Sequence, residues 1–292
     1  MSVMGNLNGG RMTGSTMVSQ LPLKNGITRA WNLSIVLAVL MGVMSLIGLI
    51  FRDSVYTSEE QIRAFLANDV INLILGLPIL LVSMWLTRGG KLGGLFLWPG
   101  ALLYVLYNYI TYVVGIAFGL IPFVYLALVL LSAYLIFDLM RRIDLHSVKG
   151  QLAGAVSERI SGWILVVLGA LFFFRAIAIV VEANMNQTVL PISKIGLLIA
   201  DLALSTIWIA GGIFLLRKTP LGYASGLGLL FVGSMLFIGL ALILLLQPVL
   251  TNAQFAPVDV IVVLIMGAIC FIPFGLFLRG VMTGGNTSLD KK

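Results

Sequence analysis

The chain has 292 residues, 60% of them hydrophobic and only 10% charged, with a mean hydropathy of +1.10 and a formal net charge of +7. A soluble domain is about half apolar and a quarter charged, so this composition excludes one and implies a membrane protein. The positive charge would point to nucleic acid in a soluble protein, but here it clusters at the ends of apolar stretches, where it sets orientation, and no nucleic-acid partner is expected.

Single residues exclude more than they suggest. Cys270 is alone, which leaves no intramolecular disulfide, CxxC pair or thiolate cluster. His146 is also alone and falls in a polar loop, so neither a bis-histidine haem nor a histidine-rich zinc site is expected, and no cofactor or metal is assigned. No nucleotide loop, HExxH or GxSxG motif is present.

Residues 1–26 are rich in Gly, Ser, Asn and Met without an apolar core, and read as a disordered tail rather than a cleavable signal peptide. A spanning helix needs about 20 mostly apolar residues. Eight stretches qualify, near 31–51, 70–86, 95–117, 120–140, 160–181, 195–216, 224–246 and 260–277, which predicts an all-α integral membrane protein. The third and fourth are joined only by Phe118 and Gly119, with Pro122 opening the fourth, so they form a tight hairpin.

Orientation follows from the basic residues. With the N-terminus inside, fourteen of the eighteen Lys and Arg fall in inner segments, from Arg11 and Lys24 through Arg88, Arg141, Arg142 and Arg217 to Lys292; Arg52, Arg63 and Lys194 are the outer ones, and Arg175 lies within a span. This bias places both termini in the cytoplasm and the chain in the cell membrane, with Trp31, Trp85, Trp98 and Trp163 as an inner aromatic belt.

In the first outer loop, Ser58-Glu59-Glu60-Gln61 fits a capping box, followed by Ile62, Phe65 and Leu66 on one face of a short helix expected to lie flat on the outer surface. Asp69 then reads as an acid at the N-terminus of the second span, favoured by the helix dipole. The inner link 143–158 divides the chain into units 27–142 and 159–281, followed by a second tail, 282–292. These units look duplicated. Asn72 precedes Arg88 by the spacing at which Asp201 precedes Arg217, and Leu92-Gly93 is matched by Leu221-Gly222, without gaps. Two units of four spans each would be parallel repeats about an axis along the membrane normal.

The candidate site starts from the full charges inside spans. Arg175 lies seven residues before Glu182, and Asp201 seven after Lys194, which puts both about 10 Å below the outer surface on consecutive antiparallel helices, where they should pair. Asp201, Ser205 and Trp208 share a helical face. Tyr104, Asn108 and Tyr112 repeat every four residues as a polar stripe on the third span, and would line the opposite wall of an outward-opening pocket together with Asn72, the repeat partner of Asp201. Such a site would bind an anion at Arg175 or a proton at Asp201; the competing reading is a buried pair and interhelical hydrogen bonds that only hold helices together. Gly222 and Gly226 favour close helix packing within one chain or between two copies, leaving a homo-oligomer open. Asp138 precedes Arg142 by helical spacing and should form a solvated salt bridge.

The run Gly76-Leu77-Pro78 through Ser83-Met84-Trp85-Leu86-Thr87-Arg88-Gly89-Gly90, with Trp98-Pro99-Gly100-Ala101-Leu102-Leu103-Tyr104 and Tyr107-Asn108-Tyr109, resembles a family of prokaryotic multi-pass membrane proteins with no assigned activity. The likeness covers about a third of the chain and implies no catalytic residue. Function is thus expected to be that of a permease-like transporter of a small polar or anionic solute, or else of a structural or accessory membrane subunit. An integral-membrane enzyme is the least favoured, since no catalytic carboxylate pair, histidine or metal-ligand set stands at the membrane surface.

Overall fold

A computed structural model describes residues 21–116, 119–251 and 254–287, with side chains described as far as Thr283. In chain order the helices are α1 (Thr28–Ile50), α2 (Arg52–Val55), α3 (Glu59–Ile71), a π-helical turn (Asn72–Gly76), α4 (Leu77–Arg88), α5 (Leu92–Gly115), α6 (Leu120–Arg142), α7 (Leu145–Leu152), α8 (Glu158–Met185), α9 (Ile192–Leu216), α10 (Pro220–Thr251) and α11 (Pro257–Thr287). Among the described residues there is no strand, only an isolated bridge between Leu23 and Ile143. Eight helices are long and apolar enough to cross a membrane, as the hydropathy pattern predicts. Phe118, in the expected tight hairpin, lies outside the described residues.

Three boundaries differ from expectation. The second span is a rod of 30 residues, Glu59–Arg88, so the short outer helix is not a separate surface element but its extension. No breaker separates Ile62 from Val70, and Ser58 caps the rod by accepting from Gln61 N at 3.2 Å, while Gln61 Oε1 reaches back to Thr57 N at 2.9 Å. The last residues of the expected N-terminal tail are ordered against the α6–α7 link: Lys24 N donates to Arg142 O and Asp144 N to Pro22 O. At the other end α11 continues through Thr287, past the expected limit at 281. Gly280 packs on Ala155, so Leu23 and Gly280, near the first and last described residues, both meet the α6–α8 connection at one end of the bundle, here called the terminal end.

Of the eight long apolar helices among the described residues, the one with the lowest mean hydropathy, α5 at 1.2 against 2.8 for α8, is the most enclosed. Its polar groups cannot face lipid, so the bundle wraps around it. It crosses α10 backbone to backbone: a Cβ on Gly100 would lie 2.7 Å from Gly228 O, and one on Gly228 2.8 Å from Phe96 O. Only glycine permits that approach, and in the absence of a hydrophobic drive between helices such close packing is a main source of association. Trp98, expected in the aromatic belt, is instead fully buried and donates to Ser34 Oγ at 3.1 Å. Trp85 and Trp163 are exposed at the terminal end, as a belt requires. Arg142 and Asp138 form the expected salt bridge at 2.8 Å.

The α4–α5 and α9–α10 turns have the same hydrogen bonds. Gly89, Gly90 and Lys91 N–H donate to Trp85, Thr87 and Leu86 O; Arg217, Lys218 and Thr219 N–H donate to Ile213, Leu215 and Phe214 O. The left-handed residue is Gly90 (φ 74°) in one and Lys218 (φ 53°) in the other. These turns are related by a shift of 128 residues, from Gly89 to Arg217, one less than the Arg88–Arg217 match implies.

Because the α5–α10 crossing has no slack, Gly228→Val should lower stability by about 3 kcal/mol, through overpacking against backbone that cannot rotate away. Gly275→Ala, with nothing within 4 Å, should be neutral or slightly stabilising. Reversible unfolding of the two variants in mixed detergent micelles reads the difference; equal stabilities would show that the crossing is loose.

Candidate functional site

Two carboxylates lie inside the bundle, one in each half. Asp201, fully buried on α9, accepts from Arg175 Nη1 at 3.0 Å and from Tyr107 OH at 2.8 Å, one donor on each oxygen. The pair expected from equal depth is therefore present, but its other partner is not the neighbour that the shared face predicts. Ser205 Oγ donates to Leu202 O at 2.9 Å, within its own helix, and Trp208 Nε1 to Leu229 O at 3.1 Å, with its ring edge-on to Phe172. Both side chains thus serve packing rather than the acid. Tyr107 projects about 60° around α5 from Tyr104 and about 100° from Asn108, toward α9, and nothing local in the sequence distinguishes it from the other tyrosines of the run. The Arg175 side chain is 54% exposed, so its remaining donors lie outside the pair.

The stripe of Tyr104, Asn108 and Tyr112 does not face Arg175 and Asp201. All three are buried. Asn108 Nδ2 donates to Tyr104 O at 3.1 Å, a bond within the helix. Tyr112 OH donates to Asp69 Oδ1 at 2.9 Å, and is 3.3 Å from Phe65 O. Tyr112 therefore belongs to a second cluster, around Asp69, while Tyr104 lies against Gly76 and Gly239.

Asp69 is not at a helix N-terminus. It lies ten residues into the Glu59–Arg88 rod and is 1% exposed. Tyr56 OH, from the α2–α3 link, donates to Oδ2. Four tyrosines and a phenylalanine enclose the acid: Phe65 and Tyr112 have ring centroids 4.6 Å apart, Tyr112 and Tyr125 5.0 Å, and Tyr109 and Tyr125 5.6 Å. Gly48 on α1 closes the remaining side, since a Cβ there would collide with the carboxylate and would lie 2.6 Å from Tyr56 OH. Ser45, one turn earlier on α1, lies beside Asp69 and Tyr109, and Tyr125 beside Tyr56, both with buried hydroxyls. Among the described residues no salt bridge reaches Asp69.

One turn along the same face, Asn72 is fully buried and neither of its amide atoms has a partner. It begins the π turn, where an extra residue interrupts the regular ladder. A Cβ built on Gly76 would lie 3.3 Å from Tyr104 Cε1 and 3.6 Å from Asn72 Oδ1, so the unpartnered amide and the Tyr104 ring flank one glycine. A buried amide without partners costs about 1–3 kcal/mol, which makes this the least satisfied polar group on the rod.

The far end of the rod is tied to the rest of the bundle. Gln61 Nε2 donates to Gly115 O at 3.0 Å, Gln247 Nε2 to Arg63 O at 3.1 Å, and Ser193 Oγ to Glu60. These bonds cap the Asp69 cluster with groups from α5, α9 and α10. Among the described residues no group of three or more His, Cys, Asp or Glu could hold a metal. No protein-family model, no curated protein and no solved structure matches the chain.

The two donors on Asp201 make a stability test possible. Arg175→Leu should cost about 3 kcal/mol because it strands a buried carboxylate, whereas Arg175→Leu with Asp201→Leu should recover most of that loss. Tyr107→Phe should cost about 1.5 kcal/mol, the range for a hydrogen bond to a charged group. Unfolding of these variants, Asp201→Leu alone and wild type in mixed micelles gives the coupling; Arg175→Leu and Asp201→Leu losses that simply add in the double variant would mean the charges do not interact.

Proposed function

We propose that the chain is a permease-like carrier of a small polar or anionic solute in the cell membrane, with both termini cytoplasmic, and that Asp69 is its proton site. The observation that carries this reading is a carboxylate buried inside the bundle with phenol donors and no cation. A charge in that position is costly, whereas a neutral carboxylic acid hydrogen-bonded to phenols is cheap, so the group is suited to taking up and releasing a proton. Its surroundings leave room for nothing larger, because Gly48, Tyr56 and Tyr112 lie against the carboxylate. Asn72, next on the same face and without a partner, offers the solute a donor and an acceptor at the interrupted turn. Interrupted spans at binding sites are a recurrent feature of carriers.

Two related four-helix halves fit this reading. The matching α4–α5 and α9–α10 turns, the reciprocal contact of Gly100 with Gly228, and the packing of α5 on α6 and of α10 on α11 all support a two-fold relation through the α5–α10 crossing. The π turn supplies the one extra residue that reconciles the 128-residue shift of the turns with the 129 between Asn72 and Asp201. Asn72 and Asp201 then occupy equivalent places, one unpartnered and one neutralised. The Lys and Arg distribution supports the orientation.

A second reading, a structural or accessory subunit, is favoured by the Arg175–Asp201–Tyr107 arrangement, which satisfies both carboxylate oxygens and needs no ligand. Solute-evoked currents from proteoliposomes on a solid-supported membrane separate the two. A carrier gives a current with at least one small polar solute, lost in Asp69→Asn and Asn72→Leu and retained in Trp163→Phe. Absence of current with every solute in the wild type, with Asp69→Asn merely more stable, would establish the subunit reading.

A further inference from the structure

We infer that the chain holds one anionic glycerophospholipid of the leaflet at the terminal end, its acyl chain in a fissure between α6 and α9 and its phosphate at a basic rim. The fissure has a volume of about 410 Å³ and a floor made by α5 and α10 at the Gly100–Gly228 crossing. Its walls are apolar, with Ile136 and Met140 on α6 facing Ile207 and Phe214 on α9. The hydroxyl on its lining, Ser225 Oγ, already donates to Leu221 O at 2.9 Å, so no free polar group is left there to hold water.

Dimensions select the occupant. From Phe96 to Leu106 the floor rises about 15 Å, half of a hydrocarbon core roughly 30 Å thick, so the fissure is one leaflet deep. An apolar slot of about 410 Å³ along that length suits a single hydrocarbon chain.

At the terminal end the fissure adjoins a second hollow of about 320 Å³, with Phe214 and Leu221 lining both. Lys24 and His146 stand on the rim of that hollow, and exposed Arg217 and Lys218 follow α9 beside it. Lys24 is held there by its backbone bond to Arg142 O at 2.7 Å. Two acids stand near these cations: Asp144, beside Lys24, accepts from Ser147 Oγ at 2.6 Å and from His146 N at 3.2 Å in capping α7, and Glu158, beside Lys218, accepts from Tyr223 OH at 2.7 Å, so that with Arg217 the rim still carries more cations than carboxylates. An apolar slot one leaflet deep that ends at a basic hollow matches a phospholipid with a negative head, and basic pockets at this level between spanning helices are suited to such heads.

The test uses the whole chain purified in a neutral detergent, with native mass spectrometry reading bound lipid. With phosphatidylglycerol added, wild type should retain one lipid at least tenfold better than with phosphatidylcholine, and Lys24→Gln with Lys218→Gln should remove that preference. Ala210→Phe and Ala133→Phe, which narrow the fissure from opposite walls, should each abolish retention while leaving the melting temperature within a few degrees of wild type. Equal retention of the two lipids, retention by both narrowed variants, or full competition by glycerol phosphate without a chain would overturn the proposal.

Discussion

The contact of Gly100 with Gly228 decides where every other polar group can go. Inside a bilayer, apolar side chains gain little by leaving lipid for one another, so helices stay together through close packing and hydrogen bonds. Bringing two backbones into contact at one point draws α5 into the centre of the bundle, with α9 and the α3–α4 rod on either side. That placement lets a helix carrying Tyr104, Tyr107, Asn108, Thr111 and Tyr112 remain in the membrane at all. It also lets α5 serve two carboxylates at once, Asp201 through Tyr107 and Asp69 through Tyr112, because residues five apart on a helix point in quite different directions.

Those two carboxylates represent different solutions of one problem. Removing a carboxylate from water is costly, and the cost is met either by a nearby cation or by keeping the group neutral. Asp201 has a cation at 3.0 Å and a phenol, so its charge is balanced and its geometry is fixed by two helices other than its own. Asp69 has hydroxyls alone. The first arrangement stores no unmet demand. The second has Asn72 beside it with both amide atoms buried and unpartnered, and such a group is retained against a stability cost only where the surroundings use it.

Much of the fold was legible in the sequence because a membrane span is set by length and composition, which are local properties. The Arg175–Asp201 pair was legible as well, since equal depth on consecutive antiparallel helices follows from counting residues at 1.5 Å each. Asp69 was not. An acid between a polar loop and an apolar run looks the same whether it begins a helix or lies within one, and the decision depends on whether Glu59–Arg88 forms a single rod. Tyr107 was hidden for another reason: five tyrosines or threonines within a few residues of α5 point all round the helix, and which meets an acid is fixed by how α5 is rotated against α9. The offset between the α4–α5 and α9–α10 turns, 128 residues where Arg88 and Arg217 suggest 129, was hidden as well, because turns are set by backbone hydrogen bonds and the π turn that begins at Asn72 leaves no sign in composition.

The two ends of the bundle are fastened by different mixtures of contacts. Around Asp69 the far end is fastened by Gln61 to Gly115, Gln247 to Arg63 and Ser193 to Glu60, side-chain hydrogen bonds of about 1 kcal/mol each that water can replace. Beneath them backbone meets backbone at two levels of α5: a Cβ on Gly196 of α9 would lie 2.7 Å from Thr111 O, and one on Gly228 of α10 2.8 Å from Phe96 O. No solvent molecule can substitute for contacts of that kind, so the side-chain bonds fasten a cap over a frame that α5, α9 and α10 already close. Asp201, held between Arg175 and Tyr107, ties α8 to the same frame. The balanced carboxylate therefore sits within the frame and the one with hydroxyl donors alone sits under the cap, with α5 as the element common to both.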